Sequence, residues 1–264
     1  MKNLSLLLIL LSLVGCHNKT ILPKDRQSFE KSQKTTPKKP IKKLPKENQK
    51  PIKESIKILV TTHGYRDWED KNETDILTTD WIDLHQKKGV YYLSKADYKI
   101  ERYVDDCSGY NTSVIHSKNN TLLLINKPDL KLGEIKNITI KKKHIWTNEK
   151  VTYHFNNIEY TLRAEGEIIS PEKEHLDENN IKNYKLYIST NNSVETLFLE
   201  EASFNDTFVE LLFVGDIDND GKLGFIFGAS RNYEEERVIL FLSSKAEKEK
   251  IIKKVGEIAI QFDC

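Results

Sequence analysis

Alternating apolar and polar residues mark two β-hairpins in the middle of the chain. Residues 151–155 and 158–162 each alternate with a period of two, which is the pattern of a half-buried strand. Asn156-Asn157 separates the two runs, and because asparagine tolerates positive φ angles, this pair suits a tight turn. Residues 184–199, divided by Asn191-Asn192, repeat the arrangement. The pattern therefore predicts two antiparallel hairpins.

Short apolar or alternating runs predict further strands on both sides of the hairpins. They lie at residues 56–62, 89–93, 100–104, 121–125, 208–214, 223–227, 237–242 and 257–262. Helices are predicted at 75–85 and at 245–255, where a run of helix formers precedes Gly256. Strands at such regular spacing are typical of a sandwich or a barrel. We expect a mainly β fold, a sandwich or barrel-like antiparallel sheet with few short helices.

An apolar segment near the N-terminus has the length of an export signal. Lys2 precedes the run from Leu4 to Val14, in which eight of eleven residues are Leu or Ile. Crossing a hydrocarbon core of about 30 Å takes roughly 20 residues. A shorter run behind a positive charge is typical of a secretory signal peptide. The segment predicts export from the cytoplasm.

The residues Leu13-Val14-Gly15-Cys16 resemble the lipobox of bacterial lipoproteins. The resemblance implies that residues 1–15 are a lipoprotein signal peptide and that Cys16 is acylated, for example with palmitate. Two or more acyl chains hold a protein stably on a membrane without crossing it. Because His17 rather than aspartate follows the cysteine, the family's sorting rule implies the outer membrane. We expect its periplasmic leaflet, with display on the cell surface as the open alternative. The alternative is an ordinary cleaved signal that ends near a cysteine.

A basic, proline-rich segment follows the lipobox. Residues 17–57 contain thirteen Lys or Arg against four Asp or Glu, and five of the seven prolines of the chain. Such a composition buries too little apolar surface to offset its conformational entropy, so we expect residues 16–56 to be a disordered tether. The lysines either act as a solvated spacer or bind anionic lipids and other envelope polyanions. A basic tract without interleaved aromatic residues does not indicate nucleic acid, and we expect no such partner.

Residues 57–264 are left for one globular β domain, and they contain two cysteines. Cys107 and Cys264 form an even pair in a protein with an export signal, which favours a disulfide bond between them. Such a bond would fasten the C-terminal end to the middle of the domain. The alternative is two buried free thiols or a single reactive one.

One short segment has a pattern typical of a cation-binding loop. Asp216, Asp218 and Asp220 alternate along the chain before Gly221, so three carboxylates can turn towards one centre while glycine permits a sharp turn. Ca²⁺ takes six to eight oxygen ligands, and the carbonyl of Lys222 is a further candidate. The alternative is a polar hairpin that binds nothing, with its turn at residues 219–221.

The aspartate loop resembles the calcium loops of EF-hands, dockerins and the FG-GAP or VCBS-type repeats of extracellular β proteins. Strand-like flanks at 208–214 and 223–227 make it most similar to the FG-GAP type. Phe227 stands at the twelfth loop position, where an EF-hand has glutamate, and Gly224 stands where FG-GAP loops usually have another aspartate. The missing ligand implies weak Ca²⁺ binding, on the order of 10⁻⁴–10⁻³ M.

The rest of the sequence leaves two classes of function open. No nucleophile elbow, paired-histidine metal motif or phosphate-binding loop occurs in the chain. The first expectation is therefore a non-catalytic, lipid-anchored domain that is stabilised by calcium and either binds an envelope protein or polymer or has a purely structural role. The alternative is an envelope hydrolase whose acidic residues come from separate strands, since such pairs leave no local motif. Asp105 and Asp106 are candidates for that pair, or for a polar turn.

Overall fold

Strands dominate the computed structural model, which describes residues 55–69, 71–169, 177–191, 193–247 and 250–263. All of these residues belong to one of the two compact units of the chain, Ile52–Cys264. The sixteen strands are β1 (Ile58–Leu59), β2 (Tyr65–Arg66), β3 (Ile82–Lys87), β4 (Val90–Lys95), β5 (Tyr98–Val104), β6 (Asn111–Ser117), β7 (Asn120–Ile125), β8 (Gly133–Glu134), β9 (Lys150–Phe155), β10 (Ile158–Ile168), β11 (Ile181–Thr190), β12 (Thr196–Ser203), β13 (Glu210–Gly215), β14 (Gly224–Gly228), β15 (Glu235–Leu242) and β16 (Lys253–Gln261). The helical structure in the described residues is two short 3-10 turns, Glu73–Ile76 and Glu178–Asn180.

These strands form four antiparallel sheets. The N-terminal sheet has the order β1-β7-β3-β4-β8, and a smaller sheet, β2-β6-β5, accompanies it. The hairpin sheet has the order β12-β11-β10-β9, and the central sheet has the order β13-β14-β15-β16. Neighbouring strands of the last two sheets are consecutive in sequence, so each is a simple meander.

The central sheet is buried on both faces. Along β15, Val238 and Leu240 pack in the core shared with the N-terminal sheet. Ile239 and Phe241 alternate with them and pack in the core shared with the hairpin sheet. Because successive side chains of a strand point to opposite faces, this alternation places the central sheet between two apolar layers. The mainly β prediction is confirmed as a sandwich, and the sheets do not close into a barrel.

Aromatic side chains fill the layer between the central and hairpin sheets. Phe198 of β12 lies 5.2 Å from Phe225 and 4.4 Å from Phe241, centroid to centroid, with edge-on geometry in both pairs. Tyr160 of β10 meets Phe225 in the same manner at 6.4 Å. Edge-to-face pairs of this kind add about 0.5–1.5 kcal/mol each to the burial of their surface. This packing fixes the hairpin sheet against the loop that follows β13.

Both predicted hairpins are confirmed. Strands β9 and β10 pair from Phe155 and Ile158 outwards, and the turn residues Asn156 and Asn157 have φ angles of 46° and 64°. Two consecutive positive φ angles are the geometry of a type I′ turn, which matches the twist of the flanking strands. Strands β11 and β12 form the second hairpin, and Asn191 has a φ of 43°.

The two predicted helices are wrong. In the segment 75–85, the 3-10 turn ends at Ile76 and strand β3 begins at Ile82. Asp83 and His85 of β3 are buried, so the strand lacks the alternating pattern that marks a half-exposed one. In the segment 245–255, the described residues form no helix, and Lys253 begins β16. Pairing with β15 prevails over helix propensity in residues 253–255, at the end of this segment.

The N-terminal predictions fall outside the described residues. They are the signal peptide at 1–15, the acylation of Cys16 and most of the tether at 16–56, and all three stay predictions. Among the residues described, no helix has the length and apolar character needed to cross a membrane.

Candidate metal site

The aspartate loop connects β13 to β14 at one end of the central sheet. Gly215 and Gly224 close the loop as register partners, and Asn219 and Gly221 have φ angles of 55° and 82°. These left-handed conformations suit asparagine and glycine and turn the chain sharply. Ile217, which is 1% exposed, points into the core shared with the N-terminal sheet. The loop is therefore held at its ends by pairing and in its middle by burial.

Three carboxylates converge inside this loop. One side-chain oxygen each from Asp216, Asp218 and Asp220 lies within 4.8 Å of the other two. Among the described residues, this is the one group of at least three His, Cys, Asp or Glu side chains whose ligand atoms lie close enough together to hold a metal ion. The predicted convergence of the three side chains is thus present in the structure.

Two oxygens of the cluster are buried without a hydrogen-bond donor in the described residues, namely Asp216 Oδ1 and Asp218 Oδ1. The other carboxylate oxygens of the cluster accept hydrogen bonds. Asp216 Oδ2 accepts from the backbone N–H of Gly221 at 3.1 Å, and Asp220 Oδ1 accepts from that of Lys222 at 2.9 Å. A buried carboxylate oxygen without a partner is costly, so these two atoms mark where a cation would be stabilised.

Residues far away in sequence support the loop from outside. Asn156, in the turn of the first hairpin, donates from Nδ2 to the Gly221 carbonyl at 2.9 Å. The hydroxyl of Tyr160 accepts from the backbone N–H of Leu223 at 3.2 Å. Beyond the end of β15, Ser243 donates to Asp220 Oδ2 at 2.8 Å and Ser244 donates to Asp218. The loop therefore joins the hairpin sheet to the central sheet.

Burial and mutual repulsion both act on the cluster. Burial raises the pKa of Asp216 above its ordinary value, and the charges of Asp220 and Asp218 raise it further. The N–H of Gly221 opposes this rise because it stabilises the charged form. The net increase in the pKa means that the ionised cluster is destabilised in the absence of a positive charge.

Gly224 explains why the loop departs from the FG-GAP pattern. A Cβ atom at this position would lie 3.0 Å from the Phe241 carbonyl oxygen and 3.2 Å from Ile217 Cδ1. A side chain there would require these neighbours to shift by a few tenths of an ångström. The close approach of the strands at Gly224 therefore disfavours the additional aspartate that the FG-GAP loops have there.

The C-terminal end of the domain lies beside the loop that carries Cys107, which is disulfide-bonded. Arg66 of β2 binds Asp263 through Nη1 and Oδ1 at 2.9 Å, and its guanidinium lies 5.5 Å from the centre of the Tyr110 ring. Asp263 directly precedes Cys264, and Tyr110 is three residues after Cys107. Cys264 lies outside the described residues, so its pairing with Cys107 stays a prediction.

Asp105 has the contacts of a turn residue. Its carboxylate accepts from the N–H of Cys107 at 3.1 Å and from the hydroxyl of Ser108 at 2.7 Å. These hydrogen bonds hold the pKa of Asp105 below its ordinary value. The side chain therefore stabilises the local turn, while the neighbouring Asp106 is exposed.

Comparisons of the chain with family models, curated proteins and solved structures gave no match. The carboxylate cluster at Asp216, Asp218 and Asp220 is accordingly the observation from which a function can be argued. Its supports were missed from sequence, because Asn156, Tyr160 and Ser243 carry no signal of proximity to the loop. Only the three aspartates, at alternate positions of one short segment, had a sequence signal.

Proposed function

We propose that this chain is a lipid-anchored protein of the bacterial cell envelope, at the outer membrane, whose β domain binds Ca²⁺ in the β13–β14 loop. The domain serves as a non-catalytic binding module, and the calcium stabilises it. The observation that carries the proposal is a pair of buried oxygens, Asp216 Oδ1 and Asp218 Oδ1, within a cluster of three carboxylates. Neither oxygen has a hydrogen-bond partner in the part of the chain that the structure describes.

A bound cation accounts for the cluster better than an empty polar turn does. Leaving a buried acceptor without a partner costs about 1–3 kcal/mol, and more when the group is charged. The loop contains two such atoms, and Asp216 is further destabilised by the neighbouring charges. A turn alone would need only the hydrogen bonds that Asp216 and Asp220 already accept from the backbone. A divalent cation contacts all three carboxylates at once and offsets two of their three charges.

The donor set favours Ca²⁺ over a transition metal. The three side-chain ligands are carboxylates, with neither histidine nor cysteine in the cluster. Hard cations prefer oxygen ligands, whereas nitrogen and sulfur ligands select transition metals. With three carboxylates, the Lys222 carbonyl as a fourth ligand and water for the rest, the affinity is on the order of 10⁻⁴–10⁻³ M.

Calcium acts here as a clamp between two sheets. The loop belongs to the central sheet, while Asn156 and Tyr160, which contact it, belong to the hairpin sheet. Binding that fixes the loop therefore stabilises this sheet–sheet contact as well. An exported location agrees with such a weak site, because extracellular calcium modules have affinities in this range. The lipobox at Cys16 supplies the predicted anchor.

The test is a thermal melt of the full-length chain in mild detergent, with about 5 mM Ca²⁺ and again with chelator. A tenfold excess over the Kd contributes about 1.4 kcal/mol, which raises the Tm of a domain of this size by about 3–6 °C. Asp218→Asn should lose this rise. Asp80→Asn is the matched control, because its carboxylate is 82% exposed and lies outside the cluster. Identical melts with and without calcium in the parent chain would overturn the calcium proposal.

A further inference from the structure

We propose that strand β5 of the smaller sheet is a self-association edge, along which two copies of the chain pair as antiparallel strands in a symmetric dimer. This inference goes beyond the calcium-binding module and does not depend on it, because β5 lies in a different sheet from the aspartate loop. The pairing would join the smaller sheets of two copies into one continuous sheet.

Strand β5 has a free edge. In the sheet order β2-β6-β5, strand β6 is its one neighbour among the described residues. The two strands pair from Tyr98 to Val104 without a register shift, so no bulge interrupts β5. Proteins protect a sheet edge with a bulge, a proline, a very short strand or charged side chains, and β5, with seven residues, has only the last of these. The arrangement of its charges therefore decides which strand can pair with it.

The even-numbered residues from 98 to 104 direct their backbone N–H and C=O groups to the free edge. The N–H of Lys118 donates to the Asp97 carbonyl at 3.0 Å, and the N–H of Asp105 donates to the Tyr110 carbonyl at 2.9 Å. These bonds continue the register of β5 with β6, and in an antiparallel pair such bonds recur at every second residue. The odd-numbered residues therefore bond to β6, and the even-numbered ones face an added strand.

The side chains of β5 are complementary to the same strand read in reverse. When two antiparallel copies meet with Ile100 on the two-fold axis, Lys99 of each copy lies opposite Glu101 of the other. This pair is not hydrogen-bonded through the backbone, so its side chains are close together, and opposite charges there are stabilising. Tyr98 of each copy lies opposite Arg102 of the other, which permits a cation–π contact. The edge thus fits a second copy of itself.

Other symmetric registers bring like charges together. A shift that places Glu101 on the axis sets this carboxylate against its own copy. A shift that places Arg102 there does the same with two guanidinium groups. Like charges directly opposite each other are destabilising, so the register centred on Ile100 is favoured.

The existing contacts of these charged side chains are weak ones. Glu101 lies 2.9 Å from Nε2 of His116, and Arg102 donates to Asp75 at 2.6 Å. The four side chains are 48–67% exposed, and ion pairs at such positions contribute little to stability. Lys99 is exposed as well. A strand pair of this length buries less surface than a permanent dimer does, so we expect weak, reversible association.

The experiment measures the mass of the full-length chain by sedimentation equilibrium in excess mild detergent, from about 10 μM to about 1 mM protein. Lys99→Glu and Glu101→Lys each set like charges opposite each other twice, so each should weaken the dimer about tenfold. The double variant Lys99→Glu/Glu101→Lys restores both pairs and should bring the Kd to within about threefold of the parent value. Lys150→Glu and Glu200→Lys are matched controls, because they make the same changes at exposed positions of the edge strands β9 and β12.

Loss of the dimer in both single variants, with recovery in the double variant and no loss in the controls, would support the pairing. A parent chain that stays monomeric up to about 1 mM would overturn it. A dimer that ignores the single substitutions would mean association through another surface or through shared micelles, and would overturn it too. Thermal melts establish that each variant is folded, so a folded double variant that stays monomeric would overturn the Lys99–Glu101 register. None of these results alters the calcium proposal, which has its own titration.

Discussion

The hydroxyl of Tyr160 is a single atom whose removal tests how the loop is held to the hairpin sheet. Tyr160 is 1% exposed, and its oxygen accepts the backbone N–H of Leu223, which is itself fully buried. Tyr160→Phe keeps the ring and its packing on Phe225 but leaves that N–H without its partner. A buried donor without a partner costs about 1–3 kcal/mol. We expect the free energy of unfolding to fall by that amount.

Tyr153 offers a matched control for this change. It lies directly opposite Tyr160 in the pairing of β9 with β10 and is equally buried. Its hydroxyl makes no hydrogen bond with the described residues. Burial raises the pKa of this hydroxyl, and the nearby backbone amides of Lys141 and Lys142 oppose part of that rise. Tyr153→Phe should therefore change the unfolding free energy by less than about 0.5 kcal/mol.

The assay is unfolding of the full-length chain in chelator, by urea and by heat, monitored by circular dichroism. For a domain of this size, the predicted loss at Tyr160 corresponds to a decrease in Tm of about 2–12 °C. Equal effects of the two substitutions would refute the reasoning, because they would mean that the Leu223 N–H finds another acceptor or that the ring contacts alone decide stability. Chelator removes calcium as a source of difference between the variants.

Three further predictions concern pH, the disulfide bond and the anchor. Because the folded state raises the pKa of Asp216, the contribution of this one group to the stability of the cation-free chain is largest below the ordinary aspartate pKa and is lost as the pH rises through the raised value. Calcium binds the ionised carboxylates, so the increase in Tm caused by calcium should be near zero at pH 4 and complete at pH 7. Thermal melts that show the same increase across this pH range would contradict the assignment. Peptide mapping without reductant should recover Cys107 joined to Cys264, and reduction should destabilise the domain by about 2–4 kcal/mol, whereas free thiols in the unreduced chain would exclude the bond. Labelled palmitate should be incorporated into the parent chain and absent from Cys16→Ser, and equal labelling of both would exclude acylation at that residue.

Local signals made the hairpins and the aspartate loop predictable. The turn at Asn156-Asn157 and the flanking period-two runs lie within twelve residues, so pattern and turn chemistry agree without knowledge of the rest of the chain. The three aspartates of the loop likewise lie within five residues, so their spacing indicated that their carboxylates could converge, as they do in the structure. The sequence signal for each feature is local, although long-range contacts also hold the loop in the folded domain.

Strand β3 was missed because its two buried polar residues depart from the strand pattern, and one of them is held by a long-range contact. Asp83 is fully buried, and its carboxylate accepts from Asn119 Nδ2 at 2.8 Å, a residue 36 positions away. His85 is also buried, with Nδ1 3.2 Å from the Asp83 carbonyl oxygen. A single sequence contains no information about such partners, so two polar residues in this segment argue against a buried strand. The same reason hides Tyr160 and Ser243 as supports of the loop.

The most direct test of the calcium site is a calorimetric titration of the chelator-stripped, full-length chain with Ca²⁺ at pH 7. The account predicts one ion per chain with a Kd on the order of 10⁻⁴–10⁻³ M, and no binding to Asp218→Asn. Binding to Asp80→Asn should equal that of the parent chain. No saturable binding by the parent chain up to about 10 mM Ca²⁺, or unchanged binding by Asp218→Asn, would contradict the assignment of the β13–β14 loop as a calcium site.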